Sequence, residues 1–318
     1  MNILTNKYAE AGFDNTERLG GEYEFRVYKA DGRLVRAVKT KNLLTTGGLN
    51  RYVGARTACR QYIFIGTGTT APSFSDTTLA TYKAYKQVSQ NPIETNSGSP
   101  DYIAKITSYV RFAVGEATGN ITEVGAGWAD TSPIASNYQL FSRALIQDAS
   151  SNPVTITVLA DEYLDVYYSL QYYPDLADKS YGLTIGGTSY TITQHMYNIT
   201  STSRMSNYQQ GGKCELEDSA YISTSATLIS QTTTEGSGSW TGPLPRTYDA
   251  YVPNSFTLTG YMSVIPAVGN MAIRSIFLQS IDNSRDLKIR RQISLSTALT
   301  KTSLQELRIY QTMTVSRH

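Results

Sequence analysis

The chain of 318 residues reads as an all-β protein, an antiparallel β-sandwich or jelly-roll-like fold with short helical turns and long loops. Three observations predict this. Tyrosine dominates the aromatics, 24 against 8 Phe and 2 Trp, and its ring suits a half-buried pleated surface that leaves the hydroxyl wet. Gly, Ser and Thr are abundant while Ala, Glu and Lys do not dominate, so long helices have little to grow from. Apolar residues recur with period two in segment after segment.

Taken in order, residues 23–29 alternate, with Tyr23, Phe25 and Val27 on one face and Glu24, Arg26 and Tyr28 on the other. Asp31-Gly32 follows and residues 34–38 return, which predicts a hairpin closed by a type I′ turn with two positive φ values. Residues 43–53 read as a short helix or loop broken at Gly47-Gly48, and 62–65 as a buried strand stopped by Gly66-Thr67-Gly68. Ser75-Asp76-Thr77-Thr78-Leu79 fits one capped helical turn. In residues 102–114, Tyr102, Ala104, Ile106, Ser108, Val110, Phe112 and Val114 share one face and Ile103, Lys105, Thr107, Tyr109 and Arg111 the other. Such a strand would run about 43 Å. Glycine-rich residues 115–127 read as a turn-rich connection.

Strands follow at 139–146, at Val154, Ile156 and Val158, and at Leu164, Val166, Tyr168, Leu170 and Tyr172. A hairpin over 183–193 turns at Gly186-Gly187, and Ser/Thr-rich 221–230 reads as a strand. Residues 231–247 read as a loop, Phe256 and Leu258 open a strand, and 273–278 form another. Leu307, Ile309, Met313 and Val315 oppose Arg308, Tyr310, Thr312 and Thr314 in a closing strand that tucks into a sheet. Segments 1–20, 86–100, 200–216 and 231–247 read as irregular. The organisation this predicts is an N-terminal hairpin and connecting segment (1–60), a main sandwich (61–193) and a second β region that completes it (194–318).

The 28 basic and 26 acidic side chains give no reason to expect nucleic acid or an anionic membrane as partner. Residues 1–60 carry 11 basic and 6 acidic groups and the remainder 17 and 20, a polarity that biases copies toward head-to-side packing. No apolar run is long enough to span a bilayer, and the first residues lack the apolar core of a signal peptide. Cys59 and Cys214 stand far apart and in no metal spacing, so both read as buried thiols of a protein made in a reducing cytosol.

The chemistry-bearing residues are sparse. His195 is isolated and reads as a hydrogen-bonded structural histidine; no Gly-x-Ser-x-Gly elbow accompanies it. Asp161, Glu162 and Asp165 form the densest carboxylate group, but alternation sends Asp161 and Glu162 to opposite sides, as in a solvated turn. Gly66-Thr67-Gly68-Thr69-Thr70 looks like a phosphate cradle without the Gly-Lys-Ser/Thr that completes one, and reads as a turn. Asn120-Ile121-Thr122 and Asn198-Ile199-Thr200 match the short glycosylation pattern, and Lys288-Ile289-Arg290-Arg291 reads as one charged strand face. The expectation is therefore no catalytic residue, no cofactor and no metal.

Three stretches together carry a resemblance: residues 62–72 with Ser75-Asp76-Thr77-Thr78-Leu79; Arg111-Phe112 with residues 119–125; and 140–146 continuing to 159–166. In that order, with the closing residues 301–317, they resemble virion structural proteins of tailed bacteriophages: tail, baseplate, neck or fibre-associated components. The likeness covers residues 40–175 well and the rest loosely. It implies a protein of the virion, made in the host bacterial cytoplasm, whose partners are itself and other phage structural proteins, with no catalytic residue or cofactor. The alternative is a host-receptor or glycan-binding module of a tail fibre, in which Trp240 in the 231–247 loop stacks on a sugar ring; the plainer role for Trp240 is to anchor its own loop. An envelope-degrading enzyme would need Asp161 or Asp165 as acid. Both faces of the 102–114 strand are bulky, which fits cover by a second sheet or by another subunit.

Overall fold

The computed structural model describes residues 8–55, 57–88, 93–95, 104–185, 188–197, 219–230, 246–264, 270–279, 290–302 and 306–318. They form an all-β, sandwich-like fold: one eight-stranded sheet covered along one face by two five-stranded sheets, with a two-stranded ribbon beneath.

The organising element is β1 (Tyr8–Lys29), 22 residues long. Its odd-numbered residues Asn15, Glu17, Leu19, Tyr23, Phe25 and Val27 are buried along one continuous inner face. One edge pairs antiparallel with β12 (Glu162–Pro174), which pairs in turn with β7 (Ala104–Phe112) and then β6 (Ile93–Thr95). The other edge changes partner midway. Residues 8–19 pair parallel with β20 (Glu306–Arg317), and residues 22–28 pair antiparallel with β2 (Leu34–Lys41). Beyond β20 lie β17 (Thr257–Val264) and β16 (Arg246–Tyr248).

The sheet over the N-terminal half runs β3 (Leu43–Leu44), β10 (Tyr138–Leu145), β9 (Glu123–Ala129), β4 (Tyr62–Gly66) and β5 (Tyr82–Gln87). Ile63, Ile65, Val124, Ala126, Trp128, Phe141 and Ala144 meet Tyr23, Phe25, Val110, Phe112, Leu164, Val166 and Tyr168 in the main core. The ribbon of β8 (Gly119–Ile121) and β11 (Ile156–Val158) adds Ile121, Ile156 and Val158. The second covering sheet runs β13 (Lys179–Ile185), β14 (Thr188–Tyr197), β19 (Arg290–Lys301), β18 (Met271–Gln279) and β15 (Ser219–Ser223). It packs Ile192, Ile273, Ile276, Ile293 and Leu295 against Met262, Leu307 and Ile309 in a second core.

A polar seam separates the two cores. In β20, Leu307 and Ile309 belong to the second core and Met313 and Val315 to the first, with buried Gln311 between. In β14, Tyr190 and Ile192 belong to the second and Met196 to the first, with Gln194 between. Gln194 donates to Asn15 Oδ1, and Arg291 lies 3.6 Å from Glu17, so the seam orients the second sheet on β1.

Several expectations held. The 23–29 alternation, the hairpin, the inward row of β12 and the closing strand all form as predicted. Others did not. Residues 8–20, read as irregular, are strand, because β20 supplies an edge that no local signal announces. The hairpin turn is not type I′: Lys29, Ala30, Asp31 and Gly32 form a turn closed by Gly32 N–H to Lys29 O, and among the turn residues only Gly32 (φ 89°) is left-handed, as in a type I turn with a bulge. Residues 46–50 form a helix (α1, Thr46–Asn50) through Gly47-Gly48 instead of breaking there, capped by Thr45. Gly48 is needed, since a Cβ would lie 2.5 Å from the Phe141 backbone. Residues 75–79 form no helix; Asp76 caps the Ser73 amide and pairs with Arg143. The 102–114 strand is described from Ala104 and ends at Phe112. The 221–230 strand ends at Ser223, and the following backbone is caught by Gln292 and Ser294. The Gly186-Gly187 turn lies outside the described residues, though β13 and β14 pair on either side of it.

The largest difference is at 115–127. Gly115 (φ 88°) does serve a turn, but Gly119 (φ 108°) opens β8 and 123–129 is β9, in the middle of its sheet. Its glycines face away from the main core, where Leu140 and Leu79 fill the space beside Gly125 and the Gln139 carbonyl lies 1.9 Å from where a Gly127 Cβ would sit. Glycine there permits close approach of strands. Gly127→Ala is expected to destabilise the fold by about 1–3 kcal/mol, read as a lowered urea midpoint at unchanged m.

Candidate functional site

The residues that stand out lie on the outer face of the eight-stranded sheet, and register puts them there. β1, β12 and β7 align Arg26 with Asp165 and Arg111, Glu24 with Tyr167 and Tyr109, and Tyr28 with Tyr163. Asp165 is buried although it faces outward, because its neighbours close over it. Arg111 grips it with two bonds, Nε at 2.7 Å and Nη2 at 2.8 Å, and the Tyr109 hydroxyl donates at 3.1 Å. Burial and the Asp165 carboxylate push the Tyr109 phenol up to about 12, and the hydrogen bond to Asp165 raises the Arg111 guanidinium.

Rings and guanidinium groups then tile the surface. Arg111 lies 4.3 Å over the Tyr163 ring and Arg26 4.8 Å over Tyr167. Tyr28 stacks on Tyr163 at 5.1 Å, and Tyr109 packs on Tyr167 at 4.9 Å. Farther along the sheet Arg308 lies 4.9 Å over Tyr261, which packs on Tyr310. The charges are paired within the face: Arg26 and Lys39 with Glu24, Lys105 with Glu22. Burial alone would raise the Glu24 carboxyl, but Arg26 and Lys39 outweigh it and hold the group below the usual carboxylate range. The face thus offers broad aromatic area and few bare ions.

A cavity of about 320 Å³ opens in the same face where the edge of β1 passes from β20 to β2. Gly20 and Gly21 border it with Glu22, Lys41, Gln171 and the stacked Tyr173–His318 rings, whose centroids are 3.7 Å apart. A Cβ on Gly20 would lie 3.3 Å from the Tyr173 ring, so glycine keeps this depression open.

A second polar centre is internal. Glu123, at the start of β9, is fully buried. Its carboxylate accepts from the backbone amides of Gly68 (2.9 Å), Ala80 (3.0 Å) and Thr81 (2.7 Å), and from Arg143 Nη2 at 2.8 Å. Arg143 reaches on to Asp76 at 2.7 Å and the Thr70 carbonyl at 2.9 Å. Gly66 and Gly68 are small because Glu123 Oε1 occupies the space a Cβ would take, 2.7 and 2.3 Å away. The Gly-Thr-Gly stretch therefore makes room for an anion and gives it one amide, Gly68, but that anion is the protein's own carboxylate.

The residues singled out from sequence fall as follows. Trp240, the expected ligand contact, lies outside the described residues, as do Cys214 and the 198–200 pattern. Asp161 and Glu162 both pair with Lys29, whereas Asp165 sits on the outer face, so the three form no common site. His195 Nδ1 meets Asp178 at 2.6 Å, and Nε2 is enclosed without a hydrogen-bond partner among the described residues. Arg291 corrects the reading of 288–291 as one charged strand face, since it is buried in the seam. Asn120 Oδ1 accepts from Thr157. Cys59 is buried. Among the described residues no group of three His, Cys, Asp or Glu is placed to hold a metal ion, and no helix is long and apolar enough to cross a membrane.

The outer face was half visible in the sequence. Glu24, Arg26 and Tyr28, and Tyr109 and Arg111, read as sharing the face opposite the apolar row of their own strands, but only register brings them to Asp165. Comparison with known proteins returned no matching family model, no matching curated protein and no matching solved structure.

Proposed function

We propose that the protein is a non-enzymatic structural component of a tailed-phage particle, self-associating around the tail or neck and docking fibres or appendages there. The observation that carries this reading is the tyrosine–arginine outer face. A neighbour placed on it removes ring area from water without stripping an unpaired ion of its hydration. Tyrosine and arginine concentrate at the centres of interfaces because they bring large contact area, and the tyrosine ring brings it at small rotamer cost. Copies arranged about an axis would bury this face repeatedly. The resemblance of residues 40–175 to virion proteins supports the phage assignment.

The test is the mass of the purified protein in solution, alone and mixed with the other tail and neck proteins of its particle. A defined multimer is expected, in one case or the other. Tyr163→Ser with Tyr167→Ser removes ring area while leaving the Arg111–Asp165 pair in place, and should weaken association about a hundredfold with the circular dichroism unchanged. A stable monomer that binds no particle component contradicts the proposal.

A further inference from the structure

We infer that the free edge of β2 is a strand-docking site for an extended segment of a different polypeptide, one with acidic residues at alternate positions. β2 pairs with β1 on one edge only, and no backbone hydrogen bond of the described residues engages its other edge. Six of its eight residues are exposed, with Leu34 at 51% and Val35 at 46%. The strands that end the same sheet at its two extremes, β6 and β16, have three residues each. Sheets ordinarily end on short, bulged or proline-broken strands, because an open edge pairs with whatever strand arrives. β2 carries one bulge, at the Val27/Tyr28 end, and no proline.

The charge on the strand selects the occupant. Arg36, Lys39 and Lys41 are its ionic residues, and no acid interrupts them. Ala37, Lys39 and Lys41 align with Arg26, Glu24 and Glu22 on the outer face. Lys39 is 3.4 Å from Glu24, yet its side chain is 60% exposed and keeps its charge toward water. Arg36 and Val38 point to the inner side, where Arg36 holds the Thr155 carbonyl and Val38 packs on the main core. A second copy of β2 would meet this edge with cations alone, and like charges on adjacent strands repel in any register. An incoming strand with acids at i and i+2 would place them beside Lys39 and Lys41 and turn its alternate apolar residues toward Val38 and Thr40. Backbone pairing gives such a contact its affinity and the alternate side chains its selectivity.

This contact borders the tyrosine face at Lys39 but is made through the backbone edge of β2, and it does not depend on the phage assignment; the probe peptides test it apart from self-association. The test is hydrogen–deuterium exchange of the full chain with two probe peptides, acetyl-Val-Glu-Val-Glu-Val-Thr amide and its counterpart with lysine in place of glutamate. In the free protein the edge amides of residues 34–41 should exchange fast. The acidic probe at saturation should slow them at least about tenfold, and the lysine probe should leave them unchanged. The double variant Lys39→Gln with Lys41→Gln removes the two cations, and with them the Lys39–Glu24 pair, without setting new acids opposite Glu24 and Glu22; with the circular dichroism unchanged, it should weaken the acidic probe about tenfold and erase the preference over the lysine probe. Edge amides already protected without a probe, no protection by the acidic probe, equal binding of both probes to the parent chain, or a dimer joined through β2 would each overturn the inference.

Discussion

Glu123→Ala is expected to cost about 3–5 kcal/mol, because it removes one partner of a buried ion pair and leaves the other in place. The carboxylate is fully buried and is the shared acceptor for three backbone amides of the 67–81 segment and for Arg143. With alanine there, those amides and one side of a guanidinium that is itself only 2% exposed lose their acceptor. The segment they hold covers the outer side of the β9–β10 sheet through Leu79, so Phe64, Tyr138 and Leu140 would lose part of their cover. Urea unfolding measures the effect as a drop in midpoint. The double variant Glu123→Leu with Arg143→Leu should recover part of the loss, since it leaves no buried charge alone. A Glu123→Ala protein within about 1 kcal/mol of the parent would show that the carboxylate does not hold the segment.

The second large effect is alkaline. Burial pushes the Cys59 thiol up from 9.0 to about 11 and the Tyr168 phenol up from 10.0 to about 12. Burial, then the neighbouring Tyr168, also raises Tyr23 well above 10.0; the two rings lie 4.7 Å apart. Raised values mean that the folded chain keeps protons that the unfolded chain releases. The stabilisation is therefore complete below the unfolded values, near pH 9, and is lost as pH rises through the folded ones. Two raised groups of this kind are on the order of several kcal/mol by pH 12, a large share of the stability of a typical domain. The urea midpoint should stay level to pH 9 and fall steeply from there to 12. Tyr168→Phe should flatten the limb above pH 10. At neutral pH the same variant should cost about 1 kcal/mol, because the hydroxyl accepts a bond from Asn42. A Tyr168→Phe profile parallel to the parent's would refute the assignment.

How much of this was legible in sequence varied with distance along the chain. The 23–29 hairpin strand, β12 and β20 announced themselves because one face of each packs on a core and the other meets water or a polar neighbour, which writes period two into the residues. β9 did not, because it is covered on both sides. Its period-two glycines answer the closeness of β10 and Leu79 and mimic a loop. The N-terminal half of β1 did not either, since its buried positions Asn15 and Glu17 are polar and serve the seam between the cores. The candidate site shows the same division. Tyr28, Tyr109 and Arg111 read as opposite the apolar rows of their own strands, with the cover of that face left open, while Asp165 reads as part of a turn-end carboxylate group. Its partners come from a strand more than fifty residues away.

What the amino-acid sequence determined by itself is the local script of the strands with one covered face: that they extend, which of their sides is apolar, and that tyrosines outnumber every other ring. The tertiary structure decided the rest. It ran β1 from the main core into the polar seam, set its first half parallel to the chain's last strand, and left β2, among the described residues, paired on one edge alone. The reason is that alternation records only whether a side chain is covered, and one inward residue is much like another. The strand that provides the cover, and the register that brings Asp165 between Arg26 and Arg111, are fixed by the joint packing of all the sheets.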